Sequence, residues 1–324
     1  MATSNLLRND LEDDGVDRRG FLKCMQWAGT AVIWTFTGGA PVSRLLAADT
    51  KNRPRAEDFT FVQISDSHIG FNKPANPDVL GTLQTAINNI NNLERAPDFL
   101  IHTGDLTHLA RANEFDDLEQ ALKSSRQKQV FYVPGEHDVT GDDGKLYLER
   151  FGKSTSGKGW YSFNHKGVHL VGLNNVVQLE GLGKIGTEQL DWLRKDLMSV
   201  SSSTPVVVFA HIPLWSVYPD WGWGTSDSEQ ALALLKRFGS VTVLNGHIHQ
   251  TMQKIEGSVA FHTAMSTAFP QPAPGSAPAA GPMKVPAERL RQVLGICDVN
   301  FIPGKHSLAI VDQPLVPGES KENG

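Results

Sequence analysis

One arrangement recurs along this chain: a short apolar run stops at a turn that carries a carboxylate or an imidazole. "FTFVQIS" runs into Asp66 and His68, "DFLIHTGD" into Asp105, and "VFYVPGEHD" into Glu136 and His137. "PVVVFAH" ends at His211, and "VTVLNGHIH" ends at His247 and His249. β-branched and aromatic residues make each run a strand, and Gly or Pro ends several of them. A single such His or Asp is most often a satisfied polar residue. Five strand ends that carry them in series are a constellation, because sites in open α/β sheets form outside the carboxyl ends of strands.

Helical spacing fills the gaps between these runs. Asp78–Leu93 places Leu80, Leu83, Ile87 and Ile90 on one face, and Asn113–Arg126 turns Phe115, Leu118 and Leu122 inward. Thr187–Val200 reads as a helix with Thr187 as its N-cap, and Ser228–Phe238 as another. Hairpins are expected around His165-Lys166-Gly167 and Glu256-Gly257-Ser258. Residues 270 to 286 hold six prolines in an Ala/Gly background and read as a long irregular loop. "VNFIP" and "HSLAIV" are expected to pair as the last strands. Helices alternating with apolar strands early, then hairpins late, predict a mixed α/β layered fold.

The chain has 324 residues and a formal net charge of -5, a mild acidity that gives no support for nucleic-acid binding, which usually needs a basic face. Its N-terminus reads "DRRGFLK", which resembles a twin-arginine export signal. The stretch from Cys24 to about Val42 is apolar but too rich in Gly and Thr for a stable membrane anchor. Ala47 and Ala48 offer a cleavage point before Asp49. The expected organisation is a signal peptide over 1–48, a linker over 49–58, one domain over 59–315 and a polar tail over 316–324. The resemblance implies export of the folded chain by the twin-arginine translocation machinery to the periplasm or beyond, with any metal loaded beforehand. Of two cysteines, Cys24 lies in the signal, so Cys297 would have no disulfide partner.

"DSH", "GD", "GEHD", "AHIP" and "GHIH", in that order, resemble the five motif blocks of the calcineurin-like metallophosphoesterases, across about Phe59 to Ala264. The resemblance implies two mixed β-sheets packed as a sandwich flanked by helices. It implies two metal ions, some combination of Fe, Mn or Zn. Asp66, His68 and His249 would hold one, His211, His247 and Glu136 the other, with Asp105 bridging. His137 would be the catalytic histidine. The implied reaction is hydrolysis of a small phosphodiester or phosphomonoester by a hydroxide held between the ions. The alternative is an impaired, metal-holding or protein-binding module of the same fold.

Two positions depart from the family pattern. Glu136 is anionic where the family usually has a neutral Asn. His108 stands where many members carry an Asp that orients the catalytic histidine, which leaves Asp138 as a possible orienter. "GDLTHLAR" is not the signature of the phosphoprotein phosphatases, and its "GDL" is closer to the phosphodiesterase branch. His108, Trp215, Tyr218, Trp221 and Trp223 are the candidate substrate contacts, the four aromatics either capping a leaving group or packing as a small core. His102 reads as a core residue.

Overall fold

The structure is a computed structural model. It describes residues 30–37, 40–47, 57–176, 181–303 and 308–316. Thr30–Thr37 (β1) and Ala40–Ala47 (β2) pair antiparallel in a unit of their own, Met1–Pro54. The twin-arginine motif, Cys24 and the cleavage point before Asp49 lie outside the described residues. Among those described, no helix is long and apolar enough to cross a membrane.

The second unit, Arg55–Gly324, carries two sheets. Phe59–Ile64 (β3), Leu100–His102 (β4) and Val130–Tyr132 (β5) run parallel. The second sheet begins with the hairpin Tyr161–His165 (β6) and Val168–Gly172 (β7), then adds Val206–Phe209 (β8) and Val241–Asn245 (β9), parallel to β7. A further hairpin, Met252–Glu256 (β10) and Val259–Thr263 (β11), completes it, giving the order β10-β11-β9-β8-β7-β6. Gly295–Phe301 (β12) and Ala309–Pro314 (β13) join the first sheet, in the order β13-β12-β3-β4-β5.

Strand alternation builds the layers. On β3, Phe59 and Phe61 face the other sheet, while Val62 and Ile64 face helices. On β8, Val207 and Phe209 face inward and Val206 and Val208 outward. Val79–Asn91 (α1), Ala112–Leu122 (α2) and Lys145–Phe151 (α3) cover the first sheet. Thr187–Met198 (α4) and Ser228–Leu235 (α5) cover the second. The result is the expected sandwich of two mixed sheets flanked by helices.

Helix boundaries differ from the sequence reading. Leu93, Val200 and Phe238 lie beyond the helical residues yet still pack on the core, so apolar periodicity overruns the hydrogen-bonded turns. Asp78 is the N-cap of α1, accepting from Gly81 N. Leu80 is 43% exposed, and Val79, Thr82 and Ala86 share the buried face instead. Gly186, not Thr187, caps α4: the Asp227 carboxylate accepts from Ile185 N and Gly186 N and fixes where the helix starts. β12 begins four residues before "VNFIP", because "GICD" pairs with β13 and with β3. The proline-rich segment forms no strand or helix before Ala287–Leu290 (α6).

Candidate metal centre

The ends of β3, β4, β5, β8 and β9 bring seven donors together. Asp66, His68 and His249 form one group, Glu136, His211 and His247 a second, and Asp105 groups with Asp66 and His211. Within each group the ligand atoms lie within 4.8 Å of one another. Asp105 Oδ2 is 3.3 Å from His68 Nε2 and 3.5 Å from His211 Nε2, so one carboxylate faces both groups. Each group draws on both sheets.

The backbone is strained where it delivers these side chains. Asp66, His68, Asp105, His247 and His249 all have positive φ, between 41° and 70°. Such conformations cost of order 1–3 kcal/mol each and persist where the surroundings over-determine them. The motif glycines answer to close approach. A Cβ on Gly104 would stand 2.5 Å from His211 Nδ1, one on Gly135 2.0 Å from Asp105 Oδ1, and one on Gly246 2.6 Å from Asp66 Oδ2.

Hydrogen bonds aim four of the seven side chains. His211 Nδ1–H donates to the Thr103 carbonyl (2.7 Å) and His249 Nδ1–H to the Phe269 carbonyl (2.5 Å). A carbonyl only accepts, so Nδ1 holds a proton, and in the neutral ring the Nε2 lone pair faces inward. Asp66 accepts from His247 N and Asp105 from His137 N. Asp138 does not touch the His137 ring. Its carboxylate accepts from Leu106 N, Thr107 N, Thr107 Oγ1 and Gly135 N, pinning together the turns that carry Asp105 and Glu136. The His137 orienter is the His108 main-chain carbonyl, 2.7 Å from Nδ1, and the two rings stack at 4.9 Å.

These lone pairs test whether cations fit. His249 Nε2 is 3.2 Å from His68 Nε2 and 3.3 Å from Asp66 Oδ1. His211 Nε2 is 2.9 Å from Glu136 Oε2, and His247 Nδ1 is 2.8 Å from Glu136 Oε1. Yet His211 Nε2, Glu136 Oε2 and both ring nitrogens of His247 are buried without a hydrogen bond. Ligands of one ion at about 2.0–2.1 Å stand roughly 3–3.5 Å apart. The donors therefore fit a pair of cations, and mixed carboxylate and imidazole sets suit Zn, Mn or Fe.

Electrostatics agree. Burial pushes the Asp66 carboxyl up, but His249 and His211 together bring it down to about 2. Burial likewise opposes ionisation of Glu136, and His247 and His211 hold it well below the carboxylate range. Burial lowers His211, but Asp105 and Glu136 raise it well above its ordinary value. His137 is raised too, Asp105 and Glu136 outweighing its burial. Burial and the His137 charge bring His108 down to about 4.

The remaining candidates divide. Trp223 is fully buried, and Trp215 packs on Phe261 at 5.1 Å, so both serve the core. Tyr218 and Trp221 are half-buried, their rings edge to face at 5.1 Å. His108 is half-buried at the rim, with Nδ1 3.5 Å from His68 Nδ1. His102 is buried and bonds the Ser67 hydroxyl. In a separate trio, His262 Nε2 and Cys297 Sγ each contact the Asp312 carboxylate at 3.0 Å.

Sequence reasoning missed four supports. Phe269 stacks on His68 and on His249, Ser266 Oγ donates to the Asp66 carbonyl, and Gln271 Nε2 donates to the His247 carbonyl. Buried Glu114 accepts from Leu109 N and fixes the loop of His108. Only the "E" three residues into α2 hinted at this last one.

The calcineurin-like phosphoesterase family model matches residues 59–251. The chain belongs to that family. A probable glycerophosphodiester phosphodiesterase GpdQ of Arcobacter nitrofigilis is 26% identical over 223 residues, 63% of this chain and 77% of that protein. A serine/threonine-protein phosphatase CPPED1 of Danio rerio is 27% identical over 218 residues, 59% of this chain and 70% of its own. Purple acid phosphatase PPD1 of yellow lupin superposes with a TM-score of 0.59 at 14% identity, over 81% of this chain. This chain spans 52% of the lupin protein, and at that identity the likeness concerns the fold. Family membership, with His, Asp and Glu groups that could hold a pair of metal ions, makes this chain a metallophosphoesterase and does not favour the impaired module.

Gly135→Ala tests the packing around Asp105. The added methyl is expected to displace the carboxylate, cost about 1–3 kcal/mol in urea unfolding and lower the metal-to-protein ratio measured by plasma mass spectrometry.

Proposed function

We propose that this chain hydrolyses phosphodiesters in preference to monoesters, with Asp66, His68 and His249 holding one cation, Glu136, His211 and His247 a second, and Asp105 shared. The observation that carries this reading is the convergence at the strand ends of Asp66, His68 and His249, of Glu136, His211 and His247, and of Asp105 with Asp66 and His211, the ligand atoms of each group lying within 4.8 Å of one another. When bound, the two cations polarise phosphoryl oxygens and acidify a water. The chain does the rest. Asp66 and Asp105 are buried, and backbone N–H groups of His247 and His137 lock their carboxylates. His137, its Nδ1–H tied to the His108 carbonyl, offers Nε2 to the leaving oxygen. Its raised pKa suits a proton donor to that oxygen. Phe71, Phe269 and the His68 ring form a packed apolar wall that excludes water from one side. Likeness to a protein named for glycerophosphodiesters supports the diester preference, as does the "GDL" turn.

Bis-nitrophenyl phosphate and nitrophenyl phosphate, assayed with and without a chelator, test the reading. Chelator-sensitive turnover with a higher kcat/KM for the diester is expected. No turnover with Mn, Zn or Fe would overturn catalysis, and a higher monoester rate would overturn the preference.

His137→Ala is expected to lower kcat about 10²–10⁴-fold, the usual contribution of a positioned acid or base. Metal content should stay at the parent's value, which separates loss of a proton donor from loss of the centre.

We further propose export of the folded chain through the twin-arginine route to the periplasm or beyond, on the strength of "DRRGFLK". Replacing Arg18 and Arg19 by Lys is expected to retain the protein in the cytoplasm, read by fractionation; unchanged export would defeat the idea.

A further inference from the structure

Glu136 spends both of its oxygens inside the site. Oε2 is 2.9 Å from His211 Nε2 and Oε1 is 2.8 Å from His247 Nδ1. The second cation position thereby matches the first: two imidazoles and a carboxylate of its own, with Asp105 between them. Three carboxylates then oppose two divalent cations, and the pocket is left with about one unit of positive charge. Among the described residues, every ion pair made by Asp66, Asp105 or Glu136 is to a histidine; none is to a lysine or an arginine. Lys73 and Arg111 act on His108 at the rim, but among the described residues neither pairs with these carboxylates.

A phosphodiester carries one negative charge at neutral pH, whereas a phosphate monoester carries about -1.5 to -2. We propose that Glu136 is the specificity-determining residue of this centre: it completes the second cation position and, by its charge, selects monoanionic diesters over dianionic monoesters and inorganic phosphate. The proposal rests on the phosphoesterase reading above. It also accounts for turnover. Diester cleavage breaks the bond from phosphorus to the leaving oxygen, forms one to the oxygen of water, and passes one proton to the departing alkoxide and one to solvent. The remaining monoester is a dianion, so the Glu136 charge that admits the substrate weakens the hold on the product. Terms common to both esters, including the charge on His137, cancel in the ratio of their rates.

Glu136→Gln keeps the shape and an oxygen and removes the charge. Glu136→Asp keeps the charge. Both are compared with the parent at saturating Mn²⁺, where metal occupancy is first measured. Calorimetry is expected to show inorganic phosphate binding about tenfold tighter to Glu136→Gln than to the parent, and the ratio of monoester to diester kcat/KM should rise by about the same factor. After dialysis against a weak chelator, Glu136→Gln should retain fewer metal equivalents. Glu136→Asp should keep the parent's phosphate affinity and ester ratio. Equal phosphate affinity in parent and Glu136→Gln at full occupancy would overturn the proposal, as would a Glu136→Asp that behaves like the Gln variant. A parent that binds metal and phosphate but cleaves neither ester would instead defeat the phosphoesterase reading, because the calorimetric comparison still reports the charge effect.

Discussion

Three buried carboxylates that face one another's imidazoles across a cavity are the constraint on which the rest depends. Each would be driven neutral by burial if nothing positive stood nearby. Here Asp66 is held at about 2 and Glu136 well below its usual range, chiefly by histidine rings. Two of those rings are themselves fixed, because Thr103 and Phe269 present carbonyls to Nδ1 and leave Nε2 facing inward. Mixed carboxylate and imidazole groups so arranged suit a pair of cations. Positive φ at five ligand residues is the backbone cost of that arrangement.

Two sheets share the work. Asp66, His68, Asp105 and Glu136 follow strands of the first, and His211, His247 and His249 follow strands of the second. Inter-sheet packing therefore sets ligand-to-ligand distance. Gln63, buried on β3, donates to Thr103 Oγ1 and to the Asn245 carbonyl, tying the strand of the first ligand to the strand of the last. Asn245 in turn donates to the Ala210 and Ile212 carbonyls on either side of His211. The phenylalanines between the sheets, Phe59, Phe61, Phe99 and Phe209, act at a distance on the same geometry.

The convergence of these seven side chains was legible in sequence because each sits just past a strand, where an apolar run stops at a turn and a charged residue has no structural excuse. The layered fold was legible for the same reason. What lay hidden acts through the main chain. The His108 and Phe269 carbonyls could be any residue's, so nothing in "THL" or "AFP" announces that one holds His137 and the other His249. Asp138 shows the opposite error. It adjoins His137 in sequence, yet the tight turn points its carboxylate at backbone N–H groups rather than at the ring. Among the aromatics, composition could not separate Trp223, sealed in the core, from Trp221, which keeps exposed surface, because both lie in one glycine-rich loop.

Residues 266–271 show how far the centre reaches. They follow β11, beyond the span matched by the family model, yet Ser266 holds the Asp66 carbonyl, Thr267 N donates to the Ser65 carbonyl, and Gln271 holds the His247 carbonyl. Both ends of the metal-bearing sequence are thereby fastened to one short segment. The proline-rich stretch begins at its end, and a Cβ at Gly275 would stand 3.5 Å from the Tyr218 hydroxyl. Fixed φ at the prolines limits how far that stretch can move from its anchor. The segment that aims these side chains therefore continues directly into the stretch beside Tyr218, and it touches the candidate centre through the Ser266 hydroxyl, the Gln271 amide, the Thr267 N–H and the Phe269 carbonyl and ring.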